Sequence, residues 1–211
     1  MNQDALFQLL GEAKVLSGHQ DFVVIGSLSI LGLEESFQIP DSMTMSNDVD
    51  CYTQADPGRI FDVVAALGEN SPYHQKSGFF LDAVSPELPS LPDGWQDRLI
   101  KVERDGVRAW FLDPNDAALS KYARGEPRDR RWIQAGILAG VVSMPIVNAR
   151  LRSTNFFDTE EAQKARALVA EDRAWFEIIK NARGEGLTFK TFHVGLFGME
   201  KWHNVAKTVA N

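Results

Sequence analysis

Hydrophobic and polar positions follow two different periods along the chain. Apolar residues recur every three or four positions over residues 5–15, which predicts an amphipathic helix at the start. A short apolar, β-branched run at residues 21–25 predicts a buried strand, and residues 48–52 predict a second strand. The intervening residues 34–47 contain a proline and several hydroxyl side chains, so we expect a long loop there.

One helix and two or three further strands are predicted before residue 113. The helix covers residues 57–67, because a proline suits its first turn and Gly68 follows its last apolar residue. The step Asp105-Gly106 is typical of a tight hairpin turn between neighbouring strands. The candidate strands cover residues 78–84, 98–102 and 107–112.

The second half of the chain has helical periodicity. The segment 113–116, with the sequence DPND, supplies a cap residue, a first-turn proline and an acid, which together predict a helix start. The predicted helices of this half cover residues 113–123, 128–139 and 159–182.

The order of these elements predicts an α+β fold, in which helices flank a mixed β-sheet. We expect an α/β core over residues 1–112 and a helical C-terminal region over residues 113–211. The pattern gives no prediction for the tail that begins at about residue 184.

Composition narrows the classes of protein that need to be considered. The formal net charge of -7 argues against non-specific nucleic-acid binding by the whole surface, although it permits a local basic pocket. Cys51 is the only cysteine, so an internal disulfide and a cysteine-based metal cluster are excluded. The first ten residues lack a basic segment, and no apolar run approaches the roughly 20 residues of a membrane span. We therefore expect a cytoplasmic protein with no membrane partner.

Two aspartates lie one step apart on the second predicted strand. Alternation along a strand places Asp48 and Asp50 on one face, with Val49 and Cys51 on the opposite face. Neighbouring carboxylates repel each other, and a hard divalent cation such as Mg²⁺ relieves that repulsion. The alternative is a pair of solvated aspartates on an edge strand, which costs little free energy.

A glycine and a small hydroxyl residue end the first predicted strand. After Gly26 and Ser27, apolar residues at 28, 30 and 31 predict a short helix. A strand that turns into a helix in this way presents backbone N–H groups, which suit a phosphate. Each feature is common by itself, but their order along the chain is more specific.

At this point the sequence resembles the nucleotidyltransferase superfamily, which has the DNA polymerase beta-like fold. The pattern of that superfamily is an apolar residue, Gly, then Gly or Ser, an interval, and two acids separated by one residue. Here it is matched by Ile25-Gly26-Ser27 and Asp48-Val49-Asp50. The closer likeness is to small bacterial proteins related to the AbiEii-type abortive-infection enzymes. It is carried by residues 112–121 and by Arg128-Asp129, and it covers residues 1 to about 145.

The resemblance implies a role for each matched residue. Asp48 and Asp50 would hold Mg²⁺ or Mn²⁺, Gly26 and Ser27 would cradle the triphosphate of an NTP, and Lys121 would neutralise phosphate charge. Alternatively, Lys121 simply stabilises the C-terminal end of its predicted helix.

The family usually has a third carboxylate on a neighbouring strand, and Asp82 is its candidate here. An aspartate within an apolar strand needs a partner, and a metal would be one. The alternative is a turn acid at the strand end. Twenty residues separate Ser27 from Asp48, an interval longer than usual, so we expect the loop at 33–47 to reshape or cover the site.

Other polar residues carry weaker signals. His74 is expected in a loop, and a position on the surface is favoured over one that faces the pocket. His193 and His203 lack the spacing of metal ligands. A local group of four arginines pairs with Glu126 and Asp129 in the simplest interpretation, or guides a nucleotide or RNA end. This group consists of Arg124, Arg128, Arg130 and Arg131.

Two hypotheses from different classes follow. In the first, the protein is a nucleotidyltransferase that moves an NMP group to tRNA or other RNA, a protein or a small molecule, in a toxin–antitoxin or phage-defence setting. In the second, it is a non-catalytic binding module that takes a nucleotide, or a partner toxin or antitoxin. A position of Asp82 beside Asp48 and Asp50 favours the enzyme.

Overall fold

The computed structural model describes residues 1–184 of the chain. The chain divides into two units, Met1–Asp172 and Arg173–Asn211. The first unit contains the whole β-sheet, whereas the described part of the second is the end of the last helix. The tail predicted to begin near residue 184, with His193 and His203, lies outside the described residues. The domain boundary at residue 112 stays a prediction.

A five-stranded mixed sheet forms the centre of the first unit, as the sequence predicted. Its strand order is β3-β2-β1-β5-β4. The β1–β5 and β2–β3 pairs are parallel, and the β1–β2 and β4–β5 pairs are antiparallel. The strands are β1 (Asp21–Val24), β2 (Asp48–Thr53), β3 (Phe80–Ala83), β4 (Ile100–Arg104) and β5 (Val107–Phe111).

Helices flank the sheet and occupy most of residues 114–184. The helices of residues 1–184 are α1 (Gln3–Ser17), α2 (Val64–Leu67), α3 (Pro72–Ser77), α4 (Pro114–Arg124), α5 (Pro127–Ala139), α6 (Met144–Arg150) and α7 (Thr159–Gly184). Together with the mixed sheet, they confirm the predicted α+β class.

The start and end of α4 follow from its sequence. The Asp113 side chain accepts hydrogen bonds from the backbone N–H groups of Asn115 and Asp116, which would otherwise lack partners in the first turn. Pro114 occupies the first helical position, and Gly125 ends the helix in the left-handed conformation. These caps hold the helix that carries Lys121 in a defined register.

The hairpin between β4 and β5 is confirmed by its backbone geometry. Asp105 and Gly106 both have positive φ, at 51° and 70°. Two consecutive residues with positive φ form the turn whose twist suits a two-residue hairpin.

The helix predicted over residues 57–67 is only partly an α-helix. Its first part, Pro57–Val63, is a 3₁₀-helix, and α-helical geometry is limited to α2. Asp56 caps this segment by accepting from the Gly58 N–H, and the chain leaves α2 at Gly68 as expected.

Burial is deepest in β1, which lies in the middle of the sheet. Phe22 and Val24 are fully buried, and Val23 nearly so. Removing such side chains from water contributes about 1.5–3 kcal/mol each. Burial of β1 fixes the position of this strand, and Gly26 and Ser27 lie just after its carboxyl end.

Candidate metal and nucleotide site

Three carboxylates from two neighbouring strands converge at one place. Asp50 on β2 is the register partner of Asp82 on β3, and Asp48 lies two residues before Asp50 on the same face. One carboxylate oxygen from each of the three aspartates lies within 4.8 Å of the other two. We call Asp48, Asp50 and Asp82 the acidic triad. Asp82 therefore points to the same side of the sheet as the other two acids. An aspartate that only served a turn at the strand end would not need this orientation.

The opposite face of β2 explains why the triad faces outward. Val49 and Cys51 are fully buried, as strand alternation predicted. A one-residue slip of the β2 register would bury the carboxylates and expose these apolar side chains. The core thus fixes which face of the strand carries the acids.

The electrostatics of the triad fit a bound divalent cation. Burial, followed by the charges of Asp48 and Asp82, raises the pKa of Asp50 to about 7. Burial and the charges of Asp48 and Glu69 also raise the pKa of Asp82. Clustered carboxylates that disfavour the ionisation of Asp50 and Asp82 favour a compensating positive charge, and oxygen ligands are those that Mg²⁺ and Mn²⁺ prefer.

The backbone at Gly26 comes unusually close to the triad. Its φ of 68° and ψ of -152° belong to a region that only glycine adopts readily. A Cβ atom at this position would lie 1.9 Å from Oδ2 of Asp50. The backbone N–H of Ile25 donates to the Asp50 carbonyl over 2.9 Å, which holds the two strand ends together. Glycine is therefore required here by both conformation and space.

Ser27 begins the predicted short helix, which is a 3₁₀-helix covering Ser27–Leu33. Its hydroxyl accepts a hydrogen bond of 3.0 Å from Nζ of Lys121, 94 positions later in the chain. The sequence motif at Gly26-Ser27 and the lysine of α4 thus meet, although neither pattern alone indicates this contact.

Lys121 is a buried cation, with a side chain only 4% exposed. Burial lowers the pKa of its ammonium group to about 8, while the charges of Asp129 and Asp50 act in the opposite direction. Nζ lies 3.6 Å from Oδ1 of Asp129 and 4.8 Å from the centre of the Trp132 ring. A lysine that only served the helix dipole would lie in solvent, so its burial favours a role inside the site.

A second cation stands beside Lys121 and shares its acidic partner. The guanidinium group of Arg124 donates to both carboxylate oxygens of Asp129, over 2.8 and 2.5 Å. Asp129 also accepts from the backbone N–H of Glu126, which completes a capping box at the start of α5. The expected pairing of Arg124 with Asp129 is confirmed, whereas Arg130 pairs with Asp172 and Glu171.

A cavity of about 300 Å³ lies between these groups. Gly26, Asp50, Lys121 and Arg124 are among the residues that line it. The lining therefore combines a carboxylate of the acidic triad with two cations, the charges that a metal–polyphosphate complex requires.

The long loop before β2 lies against α5. The Trp132 indole N–H donates to the carbonyls of Met43 and Ser27, over 3.2 and 3.3 Å. Within residues 1–184, the lining of the cavity includes no residue of the loop at 34–47. The loop thus braces the Gly26-Ser27 turn through Trp132, and the expectation that it covers the site receives no support.

His74 lies in α3, a short helix at a place where the sequence patterns predict a loop. Its Nδ1 accepts a hydrogen bond from the Asn70 backbone N–H over 2.9 Å. Ser71 caps α3 by accepting from the His74 backbone N–H, and Pro72 starts it. A serine followed by proline was the available signal for this short helix.

The mixed sheet with flanking helices is that of an α+β nucleotidyltransferase fold, and three acids cluster on it. A model of the family described as "Nucleotidyltransferase of unknown function (DUF6036)" matches residues 4–183, and the chain belongs to this family. Neither a curated protein nor a solved structure matches the chain. The likeness to the AbiEii-type group therefore stays a prediction. Among the helices of residues 1–184, none is long and apolar enough to cross a membrane.

Proposed function

We propose that the protein transfers a nucleoside monophosphate group from an NTP to a hydroxyl group of an acceptor. The observation that carries this proposal is the convergence of Asp48, Asp50 and Asp82 beside the glycine turn at Gly26. Membership of a nucleotidyltransferase family supports it.

The two cations of the cavity would bind the triphosphate. Lys121 and Arg124 are already held in place by Asp129, so little side-chain freedom is lost when a phosphate binds. Ser27 lies within hydrogen-bond reach of Lys121, so its hydroxyl would contact the same phosphates. These residues orient the leaving group.

The acidic triad would hold the divalent cation, as Mg²⁺ or Mn²⁺. Bound there, the ion supplies electrostatic stabilisation of the attacking and leaving oxygens. The lack of a side chain at Gly26 leaves room for the Asp50 carboxylate in its position within the triad.

In the reaction, the acceptor hydroxyl oxygen forms a bond to the α-phosphorus. The bond from that phosphorus to the bridging oxygen breaks, and pyrophosphate leaves with the electron pair. Asp82 is the exposed member of the triad, so its carboxylate would take the hydroxyl proton and release it to water. Lys121 and Arg124 would balance the charge that develops on pyrophosphate.

A non-catalytic binding module is the alternative that the sequence left open. Such a module has no need of a third carboxylate at the metal position. The position of Asp82 against Asp48 and Asp50 supports the enzyme on this criterion.

The biological setting rests on the AbiEii-type likeness alone. It favours a cytoplasmic protein of a toxin–antitoxin or phage-defence system, with tRNA, another RNA, a protein or a small molecule as acceptor. A partner toxin or antitoxin belongs to the same proposal.

The test is an incubation of purified protein with each α-labelled NTP, with Mg²⁺ or Mn²⁺, and with total RNA, protein and small-molecule extracts. The D48N/D50N double variant runs beside it. Asp105→Asn is the matched control, because it removes a carboxylate at a turn position that asparagine tolerates.

Label transferred by the native protein and Asp105→Asn, but not by the double variant, supports the proposal. Metal-dependent NTP binding without transfer to any extract identifies the binding module instead. Absence of both binding and transfer overturns the metal and nucleotide site.

A further inference from the structure

A second, larger cavity of about 570 Å³ adjoins the first. The two cavities share a wall made by Leu88, Pro89, Ser90 and Glu161. A molecule in the larger cavity would thus lie next to one bound near Asp50. Its volume is within the range of about 300–1,000 Å³ that small-molecule sites occupy.

The shared wall is built by defined hydrogen bonds. Ser90 Oγ and the Phe157 backbone N–H both donate to Oε2 of Glu161, each over 2.7 Å. A further backbone bond of 3.0 Å runs from the Asn155 N–H to the Leu91 carbonyl. The loop around Ser90 is thereby fastened to the start of α7, so the cavity exists before any ligand binds.

Among residues 1–184, four carboxylates and one ammonium group line the larger cavity. The acids are Glu87, Asp158, Glu160 and Glu161, and the cation is Lys164. Lys164 is engaged elsewhere, since its Nζ donates to the Arg124 carbonyl over 2.6 Å. The lining is therefore strongly acidic, whereas the first cavity carries the cations Lys121 and Arg124.

Helix capping explains only part of this acidity. Asp158 accepts from the Glu161 N–H over 2.8 Å, and acids in the first turn stabilise the helix dipole of α7. Glu87 belongs to the loop after β3 and is part of no helix, so capping does not account for it. Negative charge therefore faces the cavity from two separate segments.

Two large apolar side chains are left in solvent at the same place. Phe157 is 91% exposed and Leu88 is 70% exposed, and both line the cavity. An apolar ligand surface between them would be removed from water along with both side chains. The cavity thus offers a ligand two apolar side chains and four carboxylates.

We infer that the larger cavity binds the acceptor, and that the acceptor is a small hydroxyl compound that carries ammonium groups. This inference rests on the proposed function and adds the acceptor class to it. The carboxylates attract the ammonium groups, while Phe157 and Leu88 cover the carbon skeleton. A nucleic-acid backbone, which is a polyanion, is repelled by the same lining.

The test uses amino sugars and amino alcohols with one to three ammonium groups, each paired with its N-acetylated, uncharged form. Transfer from labelled NTP with Mn²⁺ is measured for every pair and for total tRNA. Glu87→Gln and Glu160→Gln each remove charge from one of the two segments that line the cavity, at exposed positions. Glu35→Gln is the matched control, since Glu35 is exposed and lines neither cavity.

We expect the charged forms to be labelled in preference to the N-acetylated forms. Each glutamine variant should raise KM for the charged acceptor about 5- to 10-fold, with metal-dependent NTP binding unchanged. The effect should shrink at high salt.

Labelling of tRNA or of another extract in preference to the amines, or equal use of charged and acetylated forms, overturns the inference while the proposed function stands. Absence of transfer to every acceptor, whether or not NTP still binds, is instead a failure of the proposed function. The transfer assay with the extracts therefore distinguishes the two failures.

Discussion

Gly26 and Asp50 lie so close that no side chain fits between them. A Cβ atom on Gly26 would be 1.9 Å from Oδ2 of Asp50, well inside the contact distance of the two atoms. The glycine of the turn and the acid of β2 are thus parts of one structure, although 24 positions separate them along the chain.

Gly26→Ala should abolish metal-dependent transfer. The new methyl group displaces the Asp50 carboxylate, and the backbone strain costs about 1–3 kcal/mol of folding free energy. Transfer assays and thermal unfolding measure the two effects. Gly140→Ala is the control, because Gly140 also has positive φ but has no atom within 4 Å of the new Cβ. Retained Mn²⁺ binding and transfer in Gly26→Ala would show that the acids do not need this space.

Asp50→Asn should stabilise the metal-free protein and remove its response to metal. The raised pKa of Asp50 means that its charged form is less stable in the folded chain than in the unfolded chain. Replacing the charged carboxylate with a neutral amide should therefore raise the free energy of unfolding by about 1 kcal/mol at pH 8. This value is reduced because Asp50 is partly exposed to solvent. Unfolding is followed with and without Mn²⁺, which at 100 times its Kd stabilises the native protein by about 2.7 kcal/mol. An equal gain from Mn²⁺ in the variant would rule out Asp50 as a ligand.

Lys121→Met should weaken NTP binding without loss of folding. Methionine fills the buried position, but the hydrogen bond from a charged group to phosphate is lost, worth about 1.5–3 kcal/mol or roughly 10- to 100-fold in Kd. Equilibrium dialysis with labelled NTP measures this change. Lys101→Met removes an exposed lysine of β4 and should leave Kd unchanged. Identical Kd values for the two variants would show that Lys121 has a structural role and does not bind phosphate.

Asp129→Asn should destabilise the fold in a pH-dependent way. Burial alone would raise the pKa of Asp129, but hydrogen bonding and the charges of Arg124 and Lys121 outweigh burial and lower it. Loss of the carboxylate leaves two cations without their partner, at a cost of about 3–5 kcal/mol for a buried pair.

The contribution of Asp129 has a defined pH window. Because the folded-state pKa lies below the ordinary value of 3.8, the stabilisation is complete above that value and disappears as pH falls below it. Urea unfolding between pH 3 and pH 7 should show native protein and Asp129→Asn converging at the acid end. A difference that stays constant over this range would show that the Asp129 charge is not responsible.

Local sequence patterns predicted the parts of the site that depend on a single element. Alternation along β2 placed Asp48 and Asp50 on the face opposite Val49 and Cys51, because only one face of the strand can be buried. The DPND segment set the start of α4 for a similar reason, since capping is a short-range interaction. Both predictions needed no knowledge of the tertiary structure.

The remaining parts of the site depend on contacts between distant segments. The meeting of Lys121 with Ser27 requires α4 to pack beside the turn after β1, and the arrangement around Glu161 requires the start of α7 to meet the loop after β3. No local period encodes such contacts. The helix α6 has no counterpart among the predicted helices, and Pro145 lies in its first turn, where the missing N–H of proline is tolerated.

Because β2 and β3 pair in parallel, the position of Asp82 beside Asp50 does not depend on the length of the chain that joins the two strands. Asp82 reaches Asp50 because the two are register partners, whatever path residues 54–79 take between the strands. Insertions or deletions in that connection can therefore change the surface of the molecule while the three carboxylates remain together. A search for related proteins at a fixed spacing between the second and third acids would miss such relatives, whereas a search for an acid on the adjacent parallel strand would find them.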